Sequence, residues 1–200
     1  MDERKIIENL IEFIEGKTSF DIFWREYKNN TYLQKMLEIK LGEKYQRFGN
    51  RTINENIEKS NSNTLYGRAV IYEDIYCYLL YRGIQFNRND IYSKELEYRN
   101  SLQPSYVSIE DEDFLNQIIE SAPNDLSKTN QKKWIKDKIK SLFLFDKKPP
   151  RWIQDPEWPI VDGKPLVFIK QTKETLNDER VFYTFYNPES GEETIVVQFY

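Results

Sequence analysis

The chain contains no histidine, one cysteine and only 7 glycines in 200 residues. Each shortage removes a class of chemistry. Without histidine no Ser-His-Asp or Cys-His arrangement exists, and the commonest metal ligand is missing. Hydrolytic or metal chemistry would have to run on carboxylates, lysine or tyrosine alone. The glycines are dispersed, and neither GxGxxG nor GxxxxGK[ST] occurs, so the usual phosphate cradles are absent. Cys77 has no partner for an intramolecular disulfide. It lies in Tyr76-Cys77-Tyr78-Leu79-Leu80, which reads as a core thiol. No apolar run is long enough to span a bilayer, and Met1-Asp2-Glu3-Arg4-Lys5 leads into an amphipathic helix rather than a signal-peptide core. These features predict a cytoplasmic, non-membrane protein in a reducing compartment.

What the chain has in quantity is aromatic side chains, 15% of all residues within a hydrophobic fraction of 39%. Each ring buries a large area, so a sizeable core is available and disorder is disfavoured. The net charge is -4, which does not favour general nucleic-acid binding and is compatible with a basic protein partner.

Hydrophobic spacing predicts helices through the first three quarters. Ile6, Ile7, Leu10, Ile11 and Ile14 form one stripe, with Gly16 as its stop. Thr18 and Asp21 fit a cap before the stripe Phe20, Phe23, Trp24 and Tyr27. Leu33, Met36, Leu37 and Leu41 predict a third, short helix. Residues 49–63, rich in Asn and Ser, read mostly as loop. A long buried helix is expected from Thr64 to Arg82, ending at Gly83. Ser108 and Asp111 cap the stripe Phe114, Leu115, Ile118 and Ile119. The last helix runs from Lys128 to Phe143 with Trp134, Ile135, Ile139, Leu142 and Phe143 inward.

The pattern then changes. Lys147-Lys148-Pro149-Pro150, Pro156 and Pro159 enforce extended backbone. Leu166–Lys170, Arg180–Tyr186 and Thr194–Tyr200 are β-branched or aromatic, with Asn187–Glu192 as a hairpin loop. The expected fold is α+β. A helical bundle of about five or six helices over 1–148 carries a C-terminal three-stranded antiparallel sheet over 149–200, docked as one compact unit. Apolar residues on both sheet faces leave the second face either covered or an aromatic surface.

Charge is segregated. From Ile109 to Asp125 there are six acids and no base; from Lys128 to Arg151 there are nine bases and two acids. Acids in a first helical turn complement the helix dipole, and lysines on an outer helix face are ordinarily just solvated. We read the basic helix in that way, because its aromatic residues fall on the inward stripe. The acidic run Glu110-Asp111-Glu112-Asp113 is the first candidate patch for a basic partner, and Glu189, Glu192 and Glu193 on the hairpin are the second. Trp152 and Trp158, on a proline-stiffened segment, fit a clamp between helices and sheet better than a recognition site. Asp155 and Glu157 lie near each other in sequence, but nothing sets them across a cleft as an acid–base pair. No catalytic, cofactor-binding or metal-binding residue is assigned.

Arg151-Trp152-Ile153-Gln154 with Pro156-Glu157-Trp158-Pro159, then Gly163-Lys164-Pro165-Leu166-Val167-Phe168-Ile169 and Gln171, resembles segments of bacterial immunity proteins of polymorphic or contact-dependent toxin systems. So does Phe185-Tyr186-Asn187-Pro188-Glu189-Ser190-Gly191-Glu192-Glu193-Thr194. The likeness is firmest over 149–200 and extends to Phe13-Ile14-Glu15-Gly16-Lys17. It implies a stoichiometric inhibitor of a cognate toxin, such as a basic nuclease, acting without a cofactor. Such proteins share a role rather than one fold. A bacterial adaptor or interaction module is the alternative, and a carboxylate-dependent or nucleic-acid-processing enzyme the third reading.

Overall fold

The computed structural model describes residues 2–42, 50–174 and 180–200. Among them are eight helices, a three-stranded antiparallel sheet and a two-stranded one, arranged as two compact units, 1–97 and 98–200. The architecture is α+β as expected, with more helices than the periodicities suggested.

The first unit holds α1 (Glu3–Ile14), α2 (Phe20–Asn29), α3 (Thr31–Met36), α4 (Ile53–Lys59) and α5 (Leu65–Tyr81). Its core takes Ile6, Leu10 and Ile14 from the predicted stripe of α1 and Phe20, Phe23 and Tyr27 from that of α2; Phe13 of α1, outside the predicted stripe, joins them, and α5 contributes Ile71, Ile75 and Leu79. Phe13 stacks on Phe23 at 4.2 Å between ring centres. The stop after α1 is Gly16 in the left-handed region, φ +74°. The cap of α2 is Ser19, not Thr18: its side chain accepts from the Ile22 N–H. Within the stretch read as loop, Thr52 and Glu55 form a capping box that starts α4, and Ile53 and Ile57 anchor it in the core. Gly49, at the edge of that stretch, lies outside the described residues.

Helix α6 (Ile91–Leu102), unmarked by any clear stripe, spans the division: Tyr92 packs on the first core and Leu102 belongs to the second. The second unit adds α7 (Glu112–Glu120), α8 (Lys128–Leu142), β1 (Ile160–Val161), β2 (Lys164–Pro165), β3 (Val167–Glu174), β4 (Arg180–Tyr186) and β5 (Glu193–Phe199). β4 is central in the order β3-β4-β5, and residues 144–146 bridge the outer edge of β3 at Phe168. A partition by secondary structure at 148/149 therefore cuts through a packed unit, because α7 and α8 share one core with the sheet. Leu115, Ile118, Ile135, Ile139 and Phe143 bury against Phe168, Val181, Tyr183 and Phe185. The opposite sheet face stays open, with Ile195 57% and Phe199 50% exposed beside Tyr186 and Val197.

Residues 151–158 lie on the buried face of the sheet without joining its ladder. One side chain from each strand holds their main chain. Gln171 Oε1 accepts from the Arg151 N–H at 2.8 Å. The Tyr183 hydroxyl donates to the Arg151 carbonyl at 3.0 Å and accepts from the Ile153 N–H at 3.1 Å. Gln198, fully buried, accepts from the Ile153 and Gln154 N–H groups and donates to the Asp155 carbonyl. Trp152 packs over Tyr183 at 4.3 Å and gives its indole N–H to the Tyr106 carbonyl. Trp158 is buried among Phe143, Phe168 and Phe185, its N–H on the Leu166 carbonyl at 2.7 Å. Both indoles thus lie in the clamp position that their proline-stiffened setting suggested.

Candidate functional site: an acidic groove in the second unit

Three segments of the second unit surround a groove of about 530 Å³ lined by Ser108, Glu110, Asp111, Pro156, Glu157, Trp158, Ile160, Asp162 and Gly163. Its shape follows from local rules. Val107 and Ile109 are buried, so alternation along this extended stretch turns Ser108 and Glu110 outward. The stretch is pinned by the Ile109 N–H on Gln103 Oε1 at 2.7 Å. Asp111 is the N-cap of α7, its Oδ1 accepting from the Phe114 N–H at 3.0 Å. Burial of Trp158 holds the second wall and leaves Glu157 in solvent. The third wall is the turn of the β1–β2 hairpin, where Asp162 (φ +50°) and Gly163 (φ +71°) are both left-handed. That is the backbone a two-residue hairpin needs, and Asp-Gly is its sequence mark.

Four carboxylates therefore rim one groove, and among the described residues no lysine or arginine lines it. They are spread rather than convergent: among the described residues no group of three or more acids or cysteines is placed to hold a metal ion. Such an arrangement suits several cationic side chains at separate points better than a single ion. Of the predicted run, Glu110 and Asp111 reach the groove. Glu112 and Asp113 sit on the first turn of α7 and do not line it. Glu157 shares the groove with Glu110 and Asp111, while Asp155 is exposed to solvent and does not line it.

The hairpin acids form a separate patch. Glu189 is ion-paired with Lys164, Glu192 accepts from the Ser190 hydroxyl at 3.2 Å, and Glu193 stands opposite Tyr186 at the rim of the open sheet face. Lys164 immediately follows Gly163, so this ion pair ties the groove's hairpin to the β4–β5 loop.

A wider cleft of about 610 Å³ in the first unit went unread in the sequence; Tyr72, Glu73, Arg88 and Tyr92 line it. Its charges are already matched. Arg88 pairs with Glu73 and with Asp90 and lies 4.4 Å over the Tyr76 ring. Tyr72, whose phenol burial raises above its ordinary pKa, donates to the Ile14 and Asn89 carbonyls and so joins the end of α1 to the approach to α6. No protein-family model, no curated protein sequence and no solved structure matches the chain.

Proposed function

We propose that the chain is an immunity protein that binds a cognate toxin domain stoichiometrically in the cytoplasm and blocks it. The observation that carries this reading is the groove rimmed by Glu110, Asp111, Glu157 and Asp162, with no lysine or arginine lining it among the described residues. A toxin acting on nucleic acid presents a basic surface to its polyanionic substrate, and an acidic inhibitor gains association rate and orientation against that surface. The open sheet face supports a protein partner, because Ile195 and Phe199 supply apolar contact beside the acidic hairpin. Among the described residues no helix is long and apolar enough to cross a membrane, which agrees with a partner met in the aqueous phase.

The test is to combine the purified chain with the toxin domain encoded beside it. Under this proposal the two co-elute as a complex of fixed ratio, and co-expression restores growth to cells producing the toxin. Absence of both complex and rescue with every neighbouring toxic domain would remove the proposal.

A further inference from the structure

The three-stranded sheet has two outer edges, and they are treated differently. An exposed edge offers unpaired main-chain groups to any other strand, and proteins blunt it with bulges, lysines, prolines or a covering segment. β3 carries three of these devices. Its register slips between Phe168 and Lys170, and Lys170 and Lys173 lie along it. Residues 144–146 cover its start, where the Phe168 N–H donates to the Leu144 carbonyl at 2.9 Å. β5 carries none of them. Glu193-Thr194-Ile195-Val196-Val197-Gln198-Phe199 holds no lysine or proline and keeps unbroken register with β4. Among the described residues no strand lies on its other side.

The ladder fixes which groups reach that edge. The Asn187 N–H donates to the Glu192 carbonyl at 2.8 Å, so the narrow pairs continue at Phe185 with Thr194, Tyr183 with Val196 and Val181 with Gln198. The main-chain groups of Glu193, Ile195 and Val197 therefore turn outward. So does the Phe199 carbonyl, which accepts from the Gln154 carboxamide at 2.8 Å. The side chains of this outward series stand on the open face, where Ile195, Val197 and Phe199 are exposed. Charge differs between the two ends. Glu193 stands opposite Tyr186 at one end; at the other, Arg180 stands opposite Phe199, with its guanidinium 5.4 Å from the centre of that ring. About 20 Å of strand separates Glu193 from Phe199 in one chain, so acid and guanidinium do not meet there. In two antiparallel copies centred on Val196 they do. Glu193 of each copy then faces Phe199 of the other, with the guanidinium over it, and Ile195 faces Val197. In-register parallel pairing instead sets Glu193 beside Glu193.

We propose that β5 pairs antiparallel with β5 of a second copy of this chain, about a twofold axis at Val196, joining two three-stranded sheets into one of six strands. Main-chain hydrogen bonds link Ile195 to Val197 of the second copy, repeated by the symmetry. Glu193 closes each end on Arg180 of the second copy. The pairing occupies the edge and leaves both open faces on one side of the joined sheet. This inference is independent of toxin binding.

One strand edge buries little area, so a weak dimer is expected. Sedimentation of the whole chain, alone, should show its mass rising from 24.2 kDa toward twice that value between about 10 μM and about 1 mM. Over the same range the Ile195 and Val197 amides should gain protection from hydrogen exchange. Ile195→Lys, an exposed change, should weaken the dimer at least about tenfold. Glu193→Arg and Arg180→Glu should each weaken it as well, because like charges then meet at both ends. An equimolar mixture of these two variants should dimerise again, since each altered end meets its opposite. Ile195→Lys keeps the proposal testable if Arg180→Glu misfolds. A monomer at every concentration, a dimer that leaves those two amides unprotected, a dimer unaffected by Ile195→Lys, or a mixture of folded charge variants no tighter than either alone overturns the proposal.

Discussion

Three main-chain groups of residues 153–155 depend on the carboxamide of Gln198, which has no solvent exposure. Removing it takes the partner from the Gln154 N–H and the Asp155 carbonyl, while the Ile153 N–H keeps only the Tyr183 hydroxyl, and it empties the fully buried site that the carboxamide fills. Gln198→Ala should therefore cost about 3 kcal/mol in urea-induced unfolding, and Gln198→Glu should not restore the loss, because it exchanges the donor for a buried charge. An effect below about 0.5 kcal/mol would mean that water replaces the amide. This residue was not legible beforehand: alternation assigns a polar strand residue to the solvent face, and only the packing of 151–158 beneath the sheet gives Gln198 its partners. Tyr27 and Glu58 form a pair of a different kind. Burial, and then the Glu58 carboxylate 2.8 Å away, raise the Tyr27 phenol far above its ordinary pKa, while the bond from Tyr27 and then Lys28 lower that of Glu58. A lowered carboxyl stabilises the fold above its unfolded value of 4.5 and ceases to do so as the pH drops through its folded value. Glu58→Gln should thus lose less stability than the natural chain on acidification below about pH 4.5, in chemical denaturation followed pH by pH.

At the scale of elements, the stripes of α1, α2, α7 and α8 were legible because each faces one core with helical spacing, and α5 was legible as a long apolar stretch ending at Gly83. α4 was missed although its start is written in Thr52-Ile53-Asn54-Glu55; the surrounding Asn and Ser read as loop and masked the capping box. Thr52 also donates to Glu38 at 2.9 Å. Thr52→Ala should destabilise the protein by about 1 kcal/mol, and Thr52→Ser should restore most of it, as thermal unfolding would register. Equal stability of all three forms would show that the box does not hold α4. α6 gave no stripe, because along its length Leu102 is the buried residue. The β1–β2 hairpin is too short for a periodicity, yet Asp162-Gly163 marks its turn.

The whole molecule sets its acids by packing rather than by sequence order. Glu110 and Asp111 stood out as a run, but Glu157 and Asp162 joined them only once Trp158 was buried and the hairpin turned. Neutralising the four together, as Glu110→Gln, Asp111→Asn, Glu157→Gln and Asp162→Asn, preserves each local role. Asparagine caps a helix as well as aspartate does and tolerates a left-handed backbone. Folding should be kept, while association with the toxin slows by about tenfold at low salt and loses most of its salt dependence. Stopped-flow rates that match the natural chain at both low and moderate salt would detach the groove from the interface. The absence of histidine has a molecule-wide effect too. No side chain has an unperturbed pKa between about pH 5 and 8, so stability should stay nearly flat there, and calorimetry over that interval should show no histidine-like step. At alkaline pH a dependence returns through phenols raised by burial, Tyr27, Tyr72, Tyr78 and Tyr183. Raised as they are, they stay protonated in the native state while the unfolded chain loses its protons, so their contribution is complete below the unfolded value of 10.0 and stability should fall as the pH climbs past it.

The grip on residues 151–155 also bears on descent. Gln171, Tyr183 and Gln198 hold amides and carbonyls, which every amino acid except proline supplies alike. Arg151 and Asp155 are thus free to drift from one lineage to the next, whereas a change at any of the three gripping side chains has to be answered by a change at another. Among descendants of this gene, the lasting mark of kinship should be that trio, spaced across three strands, rather than the conspicuous tryptophan-and-proline stretch lying over it.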